Sequence, residues 1–454
     1  MKKITYLLLL ATSLQPVFSQ NFEGKWAGIL NVQGMQLHLL FTISKTEKGF
    51  LTTMDSPDQG AKNIPITETI VTDNNIALKI PAATISYIGN LQNDTINGVF
   101  TQNGQNFKMI LTKSIADAAI SKRPQEPQAP FSYLSEEVEF INKKEKIVLS
   151  GTLTLPKAKG LFAAVILISG SGPQNRNEEL FGHKPFLVLA DYLTKNGIAV
   201  LRYDDRGVEK SKGDFKLATS ADFATDVESA IAYLQTRPEI NSTKIGLIGH
   251  SEGGIIAPMV AAKNNAVNFI VLLAAPALQG DKLLLLQKEK LERALSIPEN
   301  DIQKGQQIFS KLYTMLQAKH EDETIKSYLK TSFGSAASEN EIDGIIKQLQ
   351  SKWMQFYINY DPAIALKKVK CAVLALNGEN DLQVPYQQNL NEIKAALPKA
   401  KNSKTTFKSY PKLNHLFQTS ATGLPAEYQT IEETFAPIVL QDIGNWILQV
   451  TRQN

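Results

Sequence analysis

A serine between two glycines ends an apolar run in the segment KIGLIGHSEGGIIAPMVAAK, residues 244–263. Ser251 is the centre of a Gly-x-Ser-x-Gly pattern that Gly249 and Gly253 complete. The pattern is typical of a tight strand-to-helix turn that holds a serine nucleophile above a sheet, because glycines relieve the crowding there. A serine that only caps a helix after such a turn would have the same local sequence. The motif makes Ser251 a candidate nucleophile. The rest of the sequence must distinguish a nucleophile from a helix-capping serine.

A serine hydroxyl is a poor nucleophile and needs a general base. Only two histidines follow Ser251 along the chain. His415 lies in SYPKLNHLFQ, a polar turn after the apparent strand TTFKSY, where a base carried on a loop is expected. His320 lies in the charged stretch AKHEDE, which is more typical of a solvated helix end. His415 is therefore the predicted base.

An acidic residue that orients the base is expected between Ser251 and His415, because the chain order in this class of site is serine, acid, histidine. Asp381 lies in NGENDLQVP, the loop that directly follows the apparent strand AVLALN. Glu379 is the competitor, although it is closer to the end of the strand. An aspartate that only forms a turn is the other alternative. Asp381 is the predicted acid.

Acyl transfer also needs two backbone N–H groups that stabilise the developing oxyanion. The N–H of Glu252, directly after the serine, is one candidate. The second is expected in the loop VILISGSGPQNRN after an early strand, with Ser171 as first candidate and Gly172 as second. Asn175 and Arg176 in the same loop either line a pocket or brace the loop. This loop does not match the Gly-x-Gly-x-x-Gly pattern of dinucleotide sites.

A further segment, RYDDRGVEKSKGD, follows the apparent strand IAVLRYD. We expect Asp205, Arg206 and Gly207 to brace a tight turn through an internal charge pair. This segment is therefore predicted to be scaffold rather than part of the chemistry.

The elements that must position these residues alternate between strands and helices over residues 131–454. Almost wholly apolar runs such as AAVILIS, KIGLIG and AVLALN are typical of strands buried on both faces of a parallel sheet. A β-hairpin formed by VEFI and IVLSGTLTLP precedes them, and a doubly wound α/β domain is predicted. Residues 278–368 predict a helical cap over the carboxyl ends of the strands. Its aromatic residues suit either an apolar acyl group or the packing of the cap helices: Phe309, Tyr313, Trp353 and Phe356.

Residues 20–120 predict a small all-β domain, either a barrel or a sandwich. Short alternating runs such as QLHLLFTI and FKMILTK are separated by turn formers, and no helical stretch interrupts them. Trp26 and Tyr87 are expected at the core or edge of this domain, and His38 is expected to be structural. We find no catalytic motif in it.

The first residues, 1–19, have two lysines, an apolar run and small side chains in the order of a secretory signal peptide, with a cut expected before Gln20. We therefore expect a secreted or periplasmic protein with no membrane anchor. Residues 121–130, with three prolines, predict an exposed linker. Cys371 is the only cysteine, which excludes an internal disulfide. A net charge of +4 with interleaved acids and bases gives no reason to expect a nucleic-acid partner.

Four motifs in one order, SGSGP, DDRGVEKS, GHSEGG and NGENDLQVP followed by LNH, resemble the α/β-hydrolase superfamily over about residues 131–450. The chain is most similar to secreted bacterial carboxylesterases with a β-rich N-terminal domain. It is also similar to serine aminopeptidase and acylaminoacyl-peptidase-like hydrolases. Glu209 departs from the pattern, since it stands where the common D-x-R-G-x-G-x-S motif has its second glycine.

The resemblance implies an α/β-hydrolase fold with a mostly parallel sheet and a helical cap insertion, preceded by a small all-β domain. It implies catalysis without a metal or an organic cofactor, and it implies these roles: Ser251 as nucleophile, Asp381 as acid, His415 as base, and Ser171 and Glu252 as oxyanion donors.

Three functions are weighed. The first is hydrolysis of a small carboxylic ester through an acyl-enzyme. The second is a peptidase, which needs an acidic group for a free amine, and no motif singles out the cap acids Glu289 and Glu292. The third is a non-catalytic binding protein, and the presence of all three catalytic residue types argues against it.

Overall fold

The computed structural model describes residues 22–32, 35–47, 49–57, 61–102, 104–113, 123–334, 337–397 and 404–452. The predicted signal peptide, residues 1–19, lies outside the described residues. Within the described ranges, no helix has both the length and the apolar character that a membrane span requires.

The N-terminal part forms one nine-stranded antiparallel sheet rather than a sandwich of two sheets. Its strands, in the spatial order β4-β3-β2-β1-β9-β8-β7-β6-β5, are β1 Gly24–Val32, β2 Met35–Thr46, β3 Gly49–Ser56, β4 Ala61–Pro65, β5 Glu68–Thr72, β6 Asn75–Ile80, β7 Ile85–Gln92, β8 Thr95–Gln102 and β9 Gln105–Lys113. Alternating side chains form the core of this sheet, as the period of two predicts. Trp26 and Tyr87 are both buried in that core, as expected.

The second sheet has eight strands in the order β10-β11-β13-β12-β14-β15-β16-β17. These strands are β10 Leu134–Asn142, β11 Ile147–Leu155, β12 Phe162–Ile168, β13 Ala199–Tyr203, β14 Ile240–His250, β15 Val267–Leu273, β16 Ala372–Gly378 and β17 Thr405–Tyr410. The β10–β11 hairpin and the β11–β13 pair are antiparallel, and the other pairs are parallel. The chain order reverses between β12 and β14, so the loops after these strands flank the switch point where ligands bind in open α/β sheets.

Helices cover both faces of this sheet and explain its continuous apolar strands. They are α1 Pro185–Lys195, α2 Ser220–Gln235, α3 Gly253–Ala261, α9 Ala363–Leu366, α10 Tyr386–Ala396 and α11 Pro437–Arg452. In β12, Ala164 and Ile166 pack with the side chains of α2 and α3, whereas Val165 and Leu167 pack with those of α1 and α11. Because neighbours along a strand face opposite sides, a strand buried on both faces must be apolar throughout.

The insertion after β15 is helical, with α4 Gly280–Ala294, α5 Glu299–Gln317, α6 Asp322–Phe333, α7 Glu339–Leu349 and α8 Lys352–Asn359. These helices share a core of their own. Phe309 and Tyr313 pack in that core. Trp353 and Phe356, both on α8, also pack against the core of the sheet. The helix α8 therefore joins the cap to the α/β domain.

The segment between the two sheets is bonded to the α/β domain, although the sequence predicts an exposed linker. The Arg123 guanidinium donates to four backbone oxygens that belong to two loops of that domain: Phe181 (2.9 Å), Gly182 (3.3 Å), Gln429 (2.9 Å) and Ile431 (2.8 Å). The side chain of Gln125 accepts from the Thr434 N–H at 2.6 Å and donates to the Phe435 carbonyl at 2.7 Å. Arg123 and Gln125 thus hold the start of this segment in place.

Candidate active site

Ser251 lies in the tight turn between β14 and α3, with φ of +51°. Its N–H donates to the Leu273 carbonyl at 2.9 Å, which ties the turn to the neighbouring strand. A Cβ at Gly249 would lie 2.0 Å from the Gly253 oxygen, and a Cβ at Gly253 would lie 2.1 Å from the Ile168 oxygen. The flanking glycines are therefore required by close backbone approach, which is the geometry of a nucleophile elbow.

The structure brings His415 and Asp381 together, although 34 positions separate them. The Nδ1 of His415 is 2.8 Å from Oδ2 of Asp381, and both side chains are buried. The other carboxylate oxygen, Oδ1, accepts the N–H groups of Gln383 at 2.9 Å and Val384 at 2.8 Å. These two bonds fix the carboxylate, and the carboxylate in turn fixes the tautomer and orientation of the imidazole.

The Nε2 atom of His415 and the Oγ atom of Ser251 remain available for a substrate. Among the hydrogen bonds of the described residues, neither atom has a partner, and the two do not bond to each other. Bonds between a nucleophile and its base are often long in unliganded sites. The Nε2 atom of His250, the residue before Ser251, lies 3.0 Å from the His415 carbonyl oxygen, so the loop of His415 and the serine turn are neighbours.

The two competing residues lie elsewhere. Glu379 accepts a hydrogen bond from Ser409 Oγ at 2.8 Å, which leaves Asp381 as the acid bonded to His415. His320 is exposed just beyond the end of α5.

The loop after β12 packs directly on the serine turn. A Cβ at Gly170 would lie 3.2 Å from the Cβ of Ser251. The Gly170 N–H is engaged, since it donates to Oε1 of Glu178 at 2.7 Å. By contrast, the backbone N–H groups of Ser171, Gly172 and Glu252 donate to no group in the described part of the chain. Backbone N–H groups at the positions where the sequence predicts oxyanion donors are thus not engaged by other described residues.

The prediction of a charge pair within the Asp205-Arg206-Gly207 turn is wrong. Arg206 instead binds Asp226 of α2, with Nε to Oδ2 at 2.8 Å and Nη2 to Oδ1 at 2.9 Å. Asp205 accepts from Ser169 Oγ at 2.8 Å and from the Gln174 N–H at 3.0 Å. The side chains of Asp205 and Arg206 point apart, because Arg206 bonds to α2 whereas Asp205 bonds to the loop after β12. Glu209 has φ of +47°, a conformation that glycine adopts without strain.

Arg176 braces the same loop. Its Nε and Nη2 bind the two oxygens of Asp204 at 3.0 and 2.7 Å, and its Nη1 binds Glu137 of β10 at 2.8 Å. Asn175 accepts the Asn177 N–H at 3.0 Å, which closes a local turn. Of the two alternatives for these residues, bracing is the one that the contacts support.

Sequence reasoning missed the side chain of Glu252. This carboxyl is buried, and its Oε1 accepts from Ser220 Oγ at 2.6 Å and from Trp353 Nε1 at 2.8 Å. Burial raises the pKa of Glu252, although these two hydrogen bonds oppose the effect. The residue after the serine is therefore bonded to the start of α2 and to the cap helix α8. The contact with Trp353 spans 101 positions and has no local signal.

The sheet order, the serine turn at the carboxyl end of β14 and the helical insertion after β15 define an α/β hydrolase. The sequence matches the family described as serine aminopeptidase, S33, over residues 184–419, more than half of the chain. The chain belongs to this family of hydrolases.

Esterase EstD of Thermotoga maritima is 25% identical over 302 residues, which are 66% of this chain and 66% of EstD. Thiohydrolase apmlB of Arthrinium phaeospermum is 32% identical over 142 residues, which are 30% of this chain and 42% of that protein. The solved structure of the Pyrococcus furiosus esterase Pf2001 is 15% identical, with a TM-score of 0.42, and covers 70% of this chain and 93% of that one. This chain spans about two thirds of EstD and less than half of the thiohydrolase.

Proposed function

We propose that the protein hydrolyses carboxylic esters, with Ser251 as nucleophile, His415 as base and Asp381 as the acid that orients it. The observation that carries the proposal is the buried Asp381–His415 hydrogen bond of 2.8 Å beside the serine turn. The similarity to a protein named as an esterase also supports it.

In the proposed reaction, Nε2 of His415 takes the proton of Ser251 as Oγ attacks the acyl carbon. The carbonyl oxygen becomes an oxyanion that accepts the N–H groups of Ser171 and Glu252. The bond to the alcohol oxygen then breaks, and the alcohol leaves with the proton from His415. A water molecule gives its proton to His415 and attacks the acyl-enzyme. Breakdown of the second tetrahedral intermediate releases the acid and returns the proton to Ser251.

A serine aminopeptidase is the second candidate, because this is the description of the matched family. A free substrate amine needs a carboxylate that is still available to it. Asp205 and Glu252 lie next to the site, but each already accepts two hydrogen bonds, and burial raises the pKa of both. The cap acids Glu289 and Glu292 are paired with Arg293 and Lys288. These pairings favour an ester over a peptide with a free amine.

We also propose that the substrate is a small molecule and that the protein is exported. The order of charged, apolar and small residues over 1–19 supports export.

The test compares p-nitrophenyl esters of graded chain length with aminoacyl p-nitroanilides. Wild type should turn over the esters, and Ser251→Ala should lose more than about 10³-fold in kcat. Ser229→Ala is the matched control, since Ser229 Oγ only donates to the Thr225 carbonyl within α2, at 2.8 Å. Turnover confined to the anilides would support the peptidase function instead of the esterase function. Ester turnover that survives Ser251→Ala would refute the assignment of the nucleophile.

A further inference from the structure

His250, the residue before Ser251, is buried, and both of its ring nitrogens are engaged. Its Nδ1 lies 2.9 Å from Oε1 of Glu178, and its Nε2 lies 3.0 Å from the backbone oxygen of His415. A carbonyl oxygen can only accept, so Nε2 must donate. Oε1 of Glu178 already accepts the Gly170 N–H at 2.7 Å, which identifies it as an acceptor for Nδ1 as well.

Two donating nitrogens require an imidazolium, and the surroundings of His250 favour that form. Burial by itself lowers the pKa of His250, but the negative charge of Glu178, its hydrogen bond, the His415 carbonyl and the charge of Asp381 together raise that pKa above its usual value. Within the described residues, the charged and titratable groups that act on the ring are Glu178 from the loop after β12, Asp381 from the loop after β16, and His415 from the loop after β17. The ring centroids of His250 and His415 are 4.8 Å apart.

These contacts form one continuous hydrogen-bond network through the site. The Gly170 N–H binds Glu178, Glu178 binds His250, and His250 binds the carbonyl of His415. Gly170 directly precedes Ser171, the proposed oxyanion donor, and His250 directly precedes Ser251. This network therefore links the loop after β12 that carries Ser171 (the oxyanion loop), the serine turn and the loop of His415. These three segments come from separate parts of the sequence.

We propose that protonated His250 is a positioning residue that holds the loop of the base His415 against the oxyanion loop through Glu178. The proposal rests on the proposed function, in which His415 is the base. His250 does not act as the base itself, because both of its nitrogens already have partners. Its charge state decides how many of these two bonds exist, since a neutral imidazole has one N–H and can donate only one of them.

The direction of the pH dependence follows. Because the pKa of His250 is raised in the folded protein, both bonds are present below the usual histidine pKa, and one of them is lost as the pH rises through the raised folded value. The rate should therefore fall as the pH rises through that value. In Glu178→Gln the side chain keeps an oxygen that accepts from Gly170 and His250 but loses the charge, so the fall should move to lower pH by about 1 unit or more.

The test measures the rate at which an alkyl fluorophosphonate phosphonylates Ser251, as a function of pH, in the full-length protein. In this reaction Oγ attacks phosphorus and fluoride leaves, so no knowledge of the natural substrate is needed. Wild type should show this fall with rising pH, Glu178→Gln should shift it, and His250→Asn should lower the plateau rate by about 10- to 100-fold and abolish the fall. Mass spectrometry of the labelled peptide identifies the modified serine.

His183→Asn is the matched control. His183 is also buried with both nitrogens bonded, to Thr434 Oγ1 and the Tyr428 carbonyl at 2.8 Å each, but burial lowers its pKa to about 4. Its loss should lower the melting temperature without shifting the pH at which the rate falls. Folded Glu178→Gln and His250→Asn proteins with the wild-type profile would overturn the positioning role, as would lower rates with an unshifted fall. A wild type that is not labelled at Ser251 would instead refute the proposed function.

Discussion

Trp353 of the cap donates its indole N–H to the carboxyl of Glu252 at 2.8 Å, and Glu252 is the residue that directly follows Ser251. The same carboxyl oxygen accepts from Ser220 at the start of α2. The backbone N–H of Glu252 is a proposed oxyanion donor, so the position of the cap and the position of that donor are mechanically linked. A displacement of α8 would therefore also displace the residue that carries this proposed donor.

We predict that Trp353→Phe lowers kcat by about 10-fold, because loss of the donor leaves a buried carboxyl with one partner and frees the turn. The ring can still stack on Tyr357, whose centroid is 4.8 Å away, so packing is largely kept. Steady-state ester kinetics give the result. Trp446→Phe is the control, since its indole donates only to Thr406, at 3.2 Å. Equal kcat values for the two variants would contradict the proposed link between the cap and the oxyanion donor.

Asp381→Asn should lower kcat by about 10⁴-fold, because an amide can donate to Nδ1 and stabilise the wrong tautomer of His415. The affinity for substrate should change little. The control is Glu379→Gln, which alters the competing acid that binds Ser409. If Glu379→Gln lost the activity and Asp381→Asn kept it, the assignment of the acid would be reversed.

Gly253→Ala should destabilise the fold severely, because its Cβ would lie 2.1 Å from a backbone oxygen that cannot move aside cheaply. The paired variant is Gly305→Ala in the middle of α5. There the nearest atom is the end of the flexible Lys288 side chain, so the substitution should raise stability by up to about 1 kcal/mol. Thermal or urea unfolding compares the two. A Gly253→Ala protein as stable as wild type would contradict the close packing at the elbow.

Arg123→Ala should lower the free energy of unfolding by about 2–4 kcal/mol, because four backbone carbonyls lose a charged donor. Arg293→Ala, which removes an exposed arginine paired with Glu289 and Glu299, should leave the unfolding midpoint unchanged. Urea titration of both variants measures the difference. Similar midpoints would mean that the Arg123 contacts contribute nothing beyond those of a surface ion pair.

The parts of the fold that are local in sequence could be predicted from it. Apolar runs that end in a glycine-rich turn identify β14 and the serine, and the loop positions of Asp381 and His415 follow from the strands before them. These inferences need only the rule that parallel strands end at one edge of the sheet.

The remaining contacts join positions that no local pattern connects. Arg206 pairs with Asp226 of α2 rather than with its neighbour Asp205, because side chains adjacent in a turn can point in opposite directions. Glu178 lies 72 positions from His250, and only the folded loop brings them together. The alternating runs of the N-terminal part predict strands, but not that β1 lies beside β9, because strands far apart in sequence pair only in the folded sheet.

The contacts of Arg123 also bear on the order in which parts of the protein can form during its synthesis. Its partner Ile431 is 308 positions further along the chain, so at about 5–20 residues per second a ribosome needs roughly 15–60 s to supply it. During that interval every strand of the nine-stranded sheet has been synthesised, whereas the loop that carries His415 has not. A nascent chain can therefore form its N-terminal sheet well before it can form the proposed catalytic site.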